Sequence, residues 1–191
     1  MKNNSINEKS TMKQKVIYIT GISKGIGKEI AEMAIGKGYT VYGTSRKPEK
    51  IKNKIKNVNY VTLDLHNDKS IDSFIEKIEE IDILINNAGE FQLGPAEEVS
   101  VEVYRRVFES NLFGMIKIIQ GVLPIFRAKR TGTIINIGSL AGKFALPYHS
   151  VYVSSKFALE GYTLSLRQEV SQFGVKVTLV APNNIQTTFP K

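Results

Sequence analysis

From Lys15 onward, short runs of β-branched and apolar residues alternate with longer stretches of helical periodicity. A chain patterned in this way is restricted to βαβ units on a parallel sheet. The runs are KVIYIT (Lys15 to Thr20), TVYGTS (Thr40 to Ser45), NYVTL (Asn59 to Leu63), DILIN (Asp82 to Asn86), TIINI (Thr133 to Ile137) and KVTLVA (Lys176 to Ala181). Their centres are almost continuously apolar, as strands covered on both faces require. Between them, Ile26, Ile30, Ala31, Ala34 and Ile35 form one helical stripe, and Ile71, Phe74, Ile75 and Ile78 form another. A long helix is expected from about Val101 to Arg127, with Pro124 kinking or ending it and Asn111 in its interior, where a polar side chain needs a reason. A last helix is expected over roughly Val151 to Phe173. No internal repeat or second domain interrupts the pattern, so residues 15–191 read as a single α/β domain with a doubly wound parallel sheet of six strands.

Composition narrows the chemistry. The chain has no cysteine, and His66 and His149 are its two histidines, far apart in sequence. That excludes a Cys/His zinc site, a disulfide framework and thiol catalysis, and no metal is expected. The formal charge of +8 raises the question of nucleic acid, but the cations are dispersed apart from one denser stretch between Arg46 and Lys56. They read as solvated faces, and no nucleic-acid partner is expected. The first fourteen residues, MKNNSINEKSTMKQ, are polar and lack the apolar segment of a secretory signal, so a disordered leader over 1–14 is expected. The most apolar later stretch, Leu112 to Phe126, is interrupted by Lys117, Gln120 and Pro124 and is too short to span a bilayer. A cytoplasmic protein without a membrane partner is the expectation.

Directly after the first run comes T20-G-I-S-K-G-I-G27, and directly after that the first amphipathic stripe. Glycines let the backbone turn sharply and let a dinucleotide pyrophosphate approach a helix N-terminus, where free N–H groups and the macrodipole favour anions. The glycine spacing alone is a weak signal, and its place between strand and helix is what gives it weight. The bland alternative is a turn that only packs helix on strand.

At this point the chain resembles the short-chain dehydrogenase/reductase family, over Lys15 to about Thr187. The family's glycine motif has three residues between its first two glycines, as Ile22, Ser23 and Lys24 stand here. The resemblance implies a Rossmann fold. It also implies dinucleotide contacts from Gly21, Ser23, Lys24, Gly25, Ile26 and Gly27. Asp64 and Leu65, after the third strand, look like the family's adenine-holding pair. N86-N-A-G89 resembles the family's NNAG signature, so that Asn87, Ala88 and Gly89 would pass under the adenosine ribose. G94-P-A-E97 is similar to the hydroxysteroid and retinol dehydrogenase branch.

The second strand ends T44-S-R46, with no acidic residue to accept from both ribose hydroxyls. A guanidinium at Arg46, beside Ser45, can pair with a 2′-phosphate, and Lys24 adds a cation. NADP(H) is therefore favoured over NAD(H), the alternative being that Arg46 merely joins the neighbouring surface lysines.

Tyr152 and Lys156 lie four apart, so a helix presents both on one face, and Ser139 follows the fifth strand at the edge where open α/β sheets bind ligands. By resemblance these are the family's Ser-Tyr-Lys site, and Asn111 matches its helix asparagine, which holds a water in a proton relay to the lysine. A phenol with pKa near ~10 needs a nearby cation to work as an acid or base at neutral pH, and the lysine ammonium supplies it. Lys156 and Tyr152 would also hold the nicotinamide ribose. The alternatives are an amphipathic surface pair, a loop hydroxyl and a buried helix-bending polar residue.

After the sixth strand the chain reads P182-N-N-I-Q-T187. Pro182, Ile185 and Thr187 match the family's carboxamide-holding segment, while Asn183 replaces its glycine; asparagine tolerates positive φ better than most residues. The chain stops at Lys191, before the substrate loop and seventh strand that the family pattern continues into. The expected function is NADP(H)-dependent interconversion of an alcohol and a ketone or aldehyde. A non-catalytic dinucleotide-binding protein with the same fold is the alternative, and a nucleic-acid-binding Rossmann protein a distant third. The largely apolar loop L140-A-G-K-F-A-L-P-Y-H149 suggests a small apolar carbonyl or alcohol substrate; His149 could contact it, but a loop histidine facing solvent is the expectation. Val103, Val107, Phe108, Leu112, Phe113, Met115, Ile116, Ile118 and Ile119 exceed what one core-facing stripe can use. A homodimer through the long helix and the Tyr152 helix is therefore expected.

Overall fold

A computed structural model describes residues 14–183. Most of the polar leader, together with Ile185 and Thr187, lies outside the described residues. Strands β1 (Val16–Ile19), β2 (Thr40–Ser45), β3 (Val58–Thr62), β4 (Ile83–Asn86), β5 (Gly132–Ile137) and β6 (Val175–Val180) form one sheet in the order β3-β2-β1-β4-β5-β6. Every pairing is parallel. The order reverses between β1 and β4, which opens a crevice at the carboxyl ends of the strands.

Strand alternation sends side chains to two cores. From β1, Val16 and Tyr18 enter one core, built with α2 (Asp68–Glu76), α4 (Gly114–Lys129) and α5 (Ser150–Ser171). Ile17 and Ile19 enter the other, closed by Ile22 and by Ala31 and Ala34 of α1 (Gly25–Gly36). In the first core Phe74, Phe126, Ile118 and Leu159 are almost fully buried, each contributing roughly 1.5–3 kcal/mol by area. Tyr18 and Tyr42 stack there with centroids 4.5 Å apart. Asn67 starts α2 by accepting from the Ser70 N–H at 3.1 Å. Beneath the crevice runs a buried polar chain: Asn86 Nδ2 donates to Asn136 Oδ1 at 2.9 Å, Asn136 Nδ2 to Thr163 Oγ1 at 2.9 Å, and Thr163 Oγ1 to the Leu159 carbonyl at 2.7 Å.

The structure refines the expectations at three places. The last strand is not covered on both faces: Lys176, Thr178 and Val180 are exposed, because no described helix packs on that side of β6. The long helix runs from Val101 to Lys129 but is not α-helical throughout, since α3 (Val101–Phe108) is joined to α4 by a π-helical turn, Glu109–Phe113, that contains Asn111. Of the two outcomes expected at Pro124, a kink or an end, the end does not occur, since α4 runs on to Lys129. Pro124 and Gln120 are both exposed, so the carbonyl that proline leaves without a donor faces water. Among the described residues no helix is long and apolar enough to cross a membrane.

Candidate active site

A cleft of about 1630 Å³ follows the crevice. Gly21, Ser23, Lys24, Gly25, Ile26, Ser45, Arg46, Asp64, Leu65, Asn87, Ala88, Gly89, Ser139, Tyr152, Lys156 and Pro182 all line it. Gly27 and Asn111 sit behind its wall and shape it.

The glycine turn is built from backbone geometry that side chains would prevent. Gly21 and Gly25 take positive φ, 72° and 62°. Thr20 Oγ1 accepts from the Asn87 and Ala88 N–H groups at 2.9 Å each, and Asn87 Nδ2 donates to the carbonyls of Thr20 and Gly21, also at 2.9 Å. The turn is thus tied to the end of β4 before α1 begins. The N-cap of α1, Lys24, supplies no side-chain cap, and the first turn contains no acid. Its leading N–H groups are left for an anion, with the helix dipole favouring one. These features fit a dinucleotide pyrophosphate. Arg46, Lys24 and Lys47 border the same end of the cleft. Asp64 Oδ1 accepts from the His66 N–H at 3.1 Å, which shapes the loop after β3.

At the other end, Ser139 closes β5 by accepting from the Ala141 N–H at 3.1 Å, and it lines the same cleft as Tyr152. The Leu140 N–H donates to the Pro182 carbonyl at 3.1 Å, bringing the end of β6 beside Ser139. Lys156 is buried, its Nζ donating to the Ile137 carbonyl at 3.0 Å and standing 5.7 Å from the Tyr152 ring centre. Burial pushes the lysine pKa down to about 8, and burial raises the Tyr152 phenol. At neutral pH the lysine is still a cation, placed to favour phenolate.

Asn111 does not touch Lys156 through its amide. Its Oδ1 accepts from the Glu90 N–H at 2.6 Å, while its Nδ2 donates to the Glu90 carbonyl at 2.9 Å and to Ser155 Oγ at 3.0 Å. Ser155 in turn donates to the Tyr152 carbonyl at 2.8 Å. The π turn gives the polar residue its reason: it aims Asn111 across to both neighbours, as π turns at functional sites often do.

His149 corrects the expectation of a solvent-facing loop residue. It is half-buried, lines the cleft and packs edge-on against Phe91, whose ring is 4.8 Å from that of Tyr152. Asn183 lines the cleft and is not among the residues with positive φ. Sequence reasoning missed Thr20, Phe91 and the group formed by His66, Glu90 and Arg106. Glu90 directly follows the NNAG segment, but no spacing rule connects it to His66 or Arg106.

A family model described as short chain dehydrogenase matches residues 15–191. The chain is 40% identical over 187 residues to 3-ketodihydrosphingosine reductase of Bacteroides thetaiotaomicron, covering 93% of this chain and 66% of that protein. It spans about two thirds of the length of the curated relatives it matches. A short-chain dehydrogenase structure from Streptomyces avermitilis superposes with a TM-score of 0.87 at 34% identity, over 93% of this chain and 69% of that one. ElxO with NADP bound superposes with a TM-score of 0.81 at 28% identity, over 92% and 75% of the respective chains.

Proposed function

Since the chain belongs to the short-chain dehydrogenase family, we propose that it is an NADP(H)-dependent oxidoreductase interconverting an alcohol and a ketone or aldehyde. The reading is carried by the convergence of Ser139, Tyr152 and Lys156, from β5 and α5, in the same cleft as the uncapped N-terminus of α1. Bound in that cleft, the dinucleotide supplies or accepts the hydride. Tyr152 gives or takes the proton of the substrate oxygen. Lys156 lowers the cost of the phenolate, which its buried surroundings otherwise raise. The Ser139 hydroxyl, in the same cleft as Tyr152, holds the substrate oxygen within reach of the phenol. Asn111 fixes the Gly89–Glu90 segment and the start of α5 relative to one another, and through Ser155 it holds the backbone of Tyr152.

Arg46, Lys24 and Lys47 favour the 2′-phosphate of NADP(H), and no acid stands at the end of β2 to prefer a bare ribose. Phe91, Leu93, Leu140, Phe144 and Leu146 line the reactive end and favour an apolar carbonyl or alcohol. The keto group in the name of the Bacteroides relative agrees with a carbonyl substrate. A homodimer is supported by Val101, Phe113, Phe157 and Leu164, which are 58%, 52%, 45% and 45% exposed on α3, the π turn and α5.

Titrating the chain against NADPH by nicotinamide fluorescence, with and without a panel of apolar ketones and aldehydes, tests the reading. Binding with turnover is the expected result; binding without turnover on any carbonyl would leave only a dinucleotide-binding protein.

A further inference from the structure

The sheet places β3 and β4 apart, with β2 and β1 between them, so their carboxyl ends are roughly 14 Å from one another by ordinary strand spacing. The loops that follow them form two sections of the cleft: Asp64, Leu65 and His66 after β3, and Asn87 to Phe91 after β4. Strand pairing spaces the strand ends, and a side-chain bridge spans the loops beyond them. Glu90 Oε1 meets His66 Nε2 at 2.8 Å, and Glu90 Oε2 meets Arg106 Nε, from α3, at 3.1 Å. Arg106 also donates to Gln92 Oε1 at 3.3 Å, so the guanidinium holds the β4 loop at two points. The two carboxylate oxygens thus have a partner each, from different elements.

The main chain of Glu90 is held just as firmly. Its N–H and its carbonyl are both taken by the Asn111 amide, which reaches on to Ser155 and so to the backbone of Tyr152. One residue earlier, a Cβ built on Gly89 would stand 2.9 Å from Asn111 Oδ1 and 3.9 Å from Lys156 Nζ. Glu90 is therefore the point at which the loop after β3 is joined mechanically to the helix that carries Tyr152 and Lys156.

We propose that Glu90 is a positioning residue, and that its bridge from His66 to Arg106 sets the separation between the Asp64–Leu65 loop and the Tyr152–Lys156 helix. The inference rests on the dinucleotide reading, because a ligand that long must contact both ends of the cleft at once. A bridge that holds the two ends at the bound spacing removes ordering cost from binding. The Arg106 guanidinium also balances the charge of the Glu90 carboxylate. The bridge acts on the fit of the dinucleotide and leaves the proton-transferring groups in place.

The test compares the unsubstituted chain with Glu90→Gln, His66→Ala and His66→Gln, reading NADPH dissociation by nicotinamide fluorescence, cofactor KM and kcat on a reducible ketone, and melting temperature. Glu90→Gln and His66→Ala are expected to weaken NADPH binding and raise its KM about five- to tenfold, as loss of one charge-assisted hydrogen bond implies, with a smaller change in kcat. His66→Gln retains an N–H donor at the same reach and is expected to recover most of the affinity. Equal affinity in all four chains overturns the proposal, as does a His66→Gln chain that binds as weakly as His66→Ala. A fall in affinity that merely tracks the melting temperature across the set also overturns it. If the unsubstituted chain binds no dinucleotide, the proposed function fails and this inference fails with it, whereas binding that is insensitive to the bridge defeats the inference alone.

Discussion

The side-chain amide of Asn87 fills the space above Gly27: a Cβ built on Gly27 falls 2.4 Å from Asn87 Nδ2 and 2.4 Å from the Gly21 carbonyl oxygen. Neither neighbour retreats cheaply, since the amide and the carbonyl are bonded to each other at 2.9 Å. Gly27→Ala is expected to cost about 1–3 kcal/mol of stability and to abolish measurable NADPH binding. Gly36→Ala, at the end of the same helix with nothing within 4 Å of the new methyl, should leave binding intact and stabilise by up to about 1 kcal/mol. Thermal melts and fluorescence titration of the two chains check both; similar behaviour would show that the approach of Asn87 to Gly27 is not what shapes the turn.

Replacing Tyr152 by Phe should lower turnover by at least about a hundredfold while leaving NADPH affinity nearly unchanged, because only the proton transfer is lost. Steady-state kinetics on a reducible ketone, beside equilibrium titration, separate the two quantities. Retained turnover would remove Tyr152 from the proton-transfer role.

Burial holds the pKa of Lys156 at about 8, against 10.5 for an ordinary lysine. The unfolded chain therefore binds this proton more tightly than the folded one. Stability should rise with pH between about 8 and 10.5, and below pH 8 the folded chain carries the whole cost of the buried ammonium, on the order of 3 kcal/mol. Lys156→Met is expected to raise the melting temperature at pH 7, even after losing about 1 kcal/mol for the hydrogen bond to the Ile137 carbonyl. The advantage over the unsubstituted chain should shrink as pH approaches 10. Melts of both chains at pH 7 and pH 10 decide it, since a difference independent of pH would mean that the lysine charge is not the cause.

Arg46→Asp should weaken NADPH far more than NADH, by repelling the 2′-phosphate and offering an acceptor to a ribose hydroxyl. Competitive titration with the two dinucleotides gives the ratio directly. Equal weakening would leave Arg46 as one more surface cation beside Lys47.

A homodimer joined through the long α3–α4 unit and α5 should be broken by charge on its apolar face. Sedimentation at micromolar concentration is expected to give a dimer for the unsubstituted chain and a monomer for the Phe157→Glu, Leu164→Glu double variant, both positions being 45% exposed. A monomeric unsubstituted chain defeats the expectation, and a tetramer points to a second interface elsewhere.

The strand positions, the glycine turn and the Ser-Tyr-Lys arrangement were legible in sequence because each is written in local terms: a run of β-branched residues, a glycine spacing, a four-residue interval on a helix. Strand ends moved by one residue or so, as with β3 beginning at Val58 and β5 at Gly132. The π turn was hidden, since Glu109 to Phe113 has no composition of its own; the one clue was a polar Asn111 inside an apolar helix. Thr20, Phe91 and the Glu90 bridge were invisible for a stronger reason. Each matters through partners from other elements, and His66 stands 24 positions from Glu90. The open face of β6 misled in the same way, because Thr178 and Val180 sit in an apolar run that reads as buried until it is known what packs on their side.

The buried amides of Asn86 and Asn136 lie directly opposite one another in the β4–β5 pairing. Every other partner along that pairing is Ile, Leu or Thr, so apolar contact alone discriminates poorly between this alignment and one displaced by two residues, which keeps each side chain on its own face. A displaced alignment would leave both amides opposite hydrocarbon, at a cost of about 1–3 kcal/mol for each unmet polar group. The amide pair thus favours this strand alignment over a displaced one. What it protects is chemical as well as structural, for it is the alignment of β5 against β4 that determines how far along the crevice Ser139 lies from Gly89.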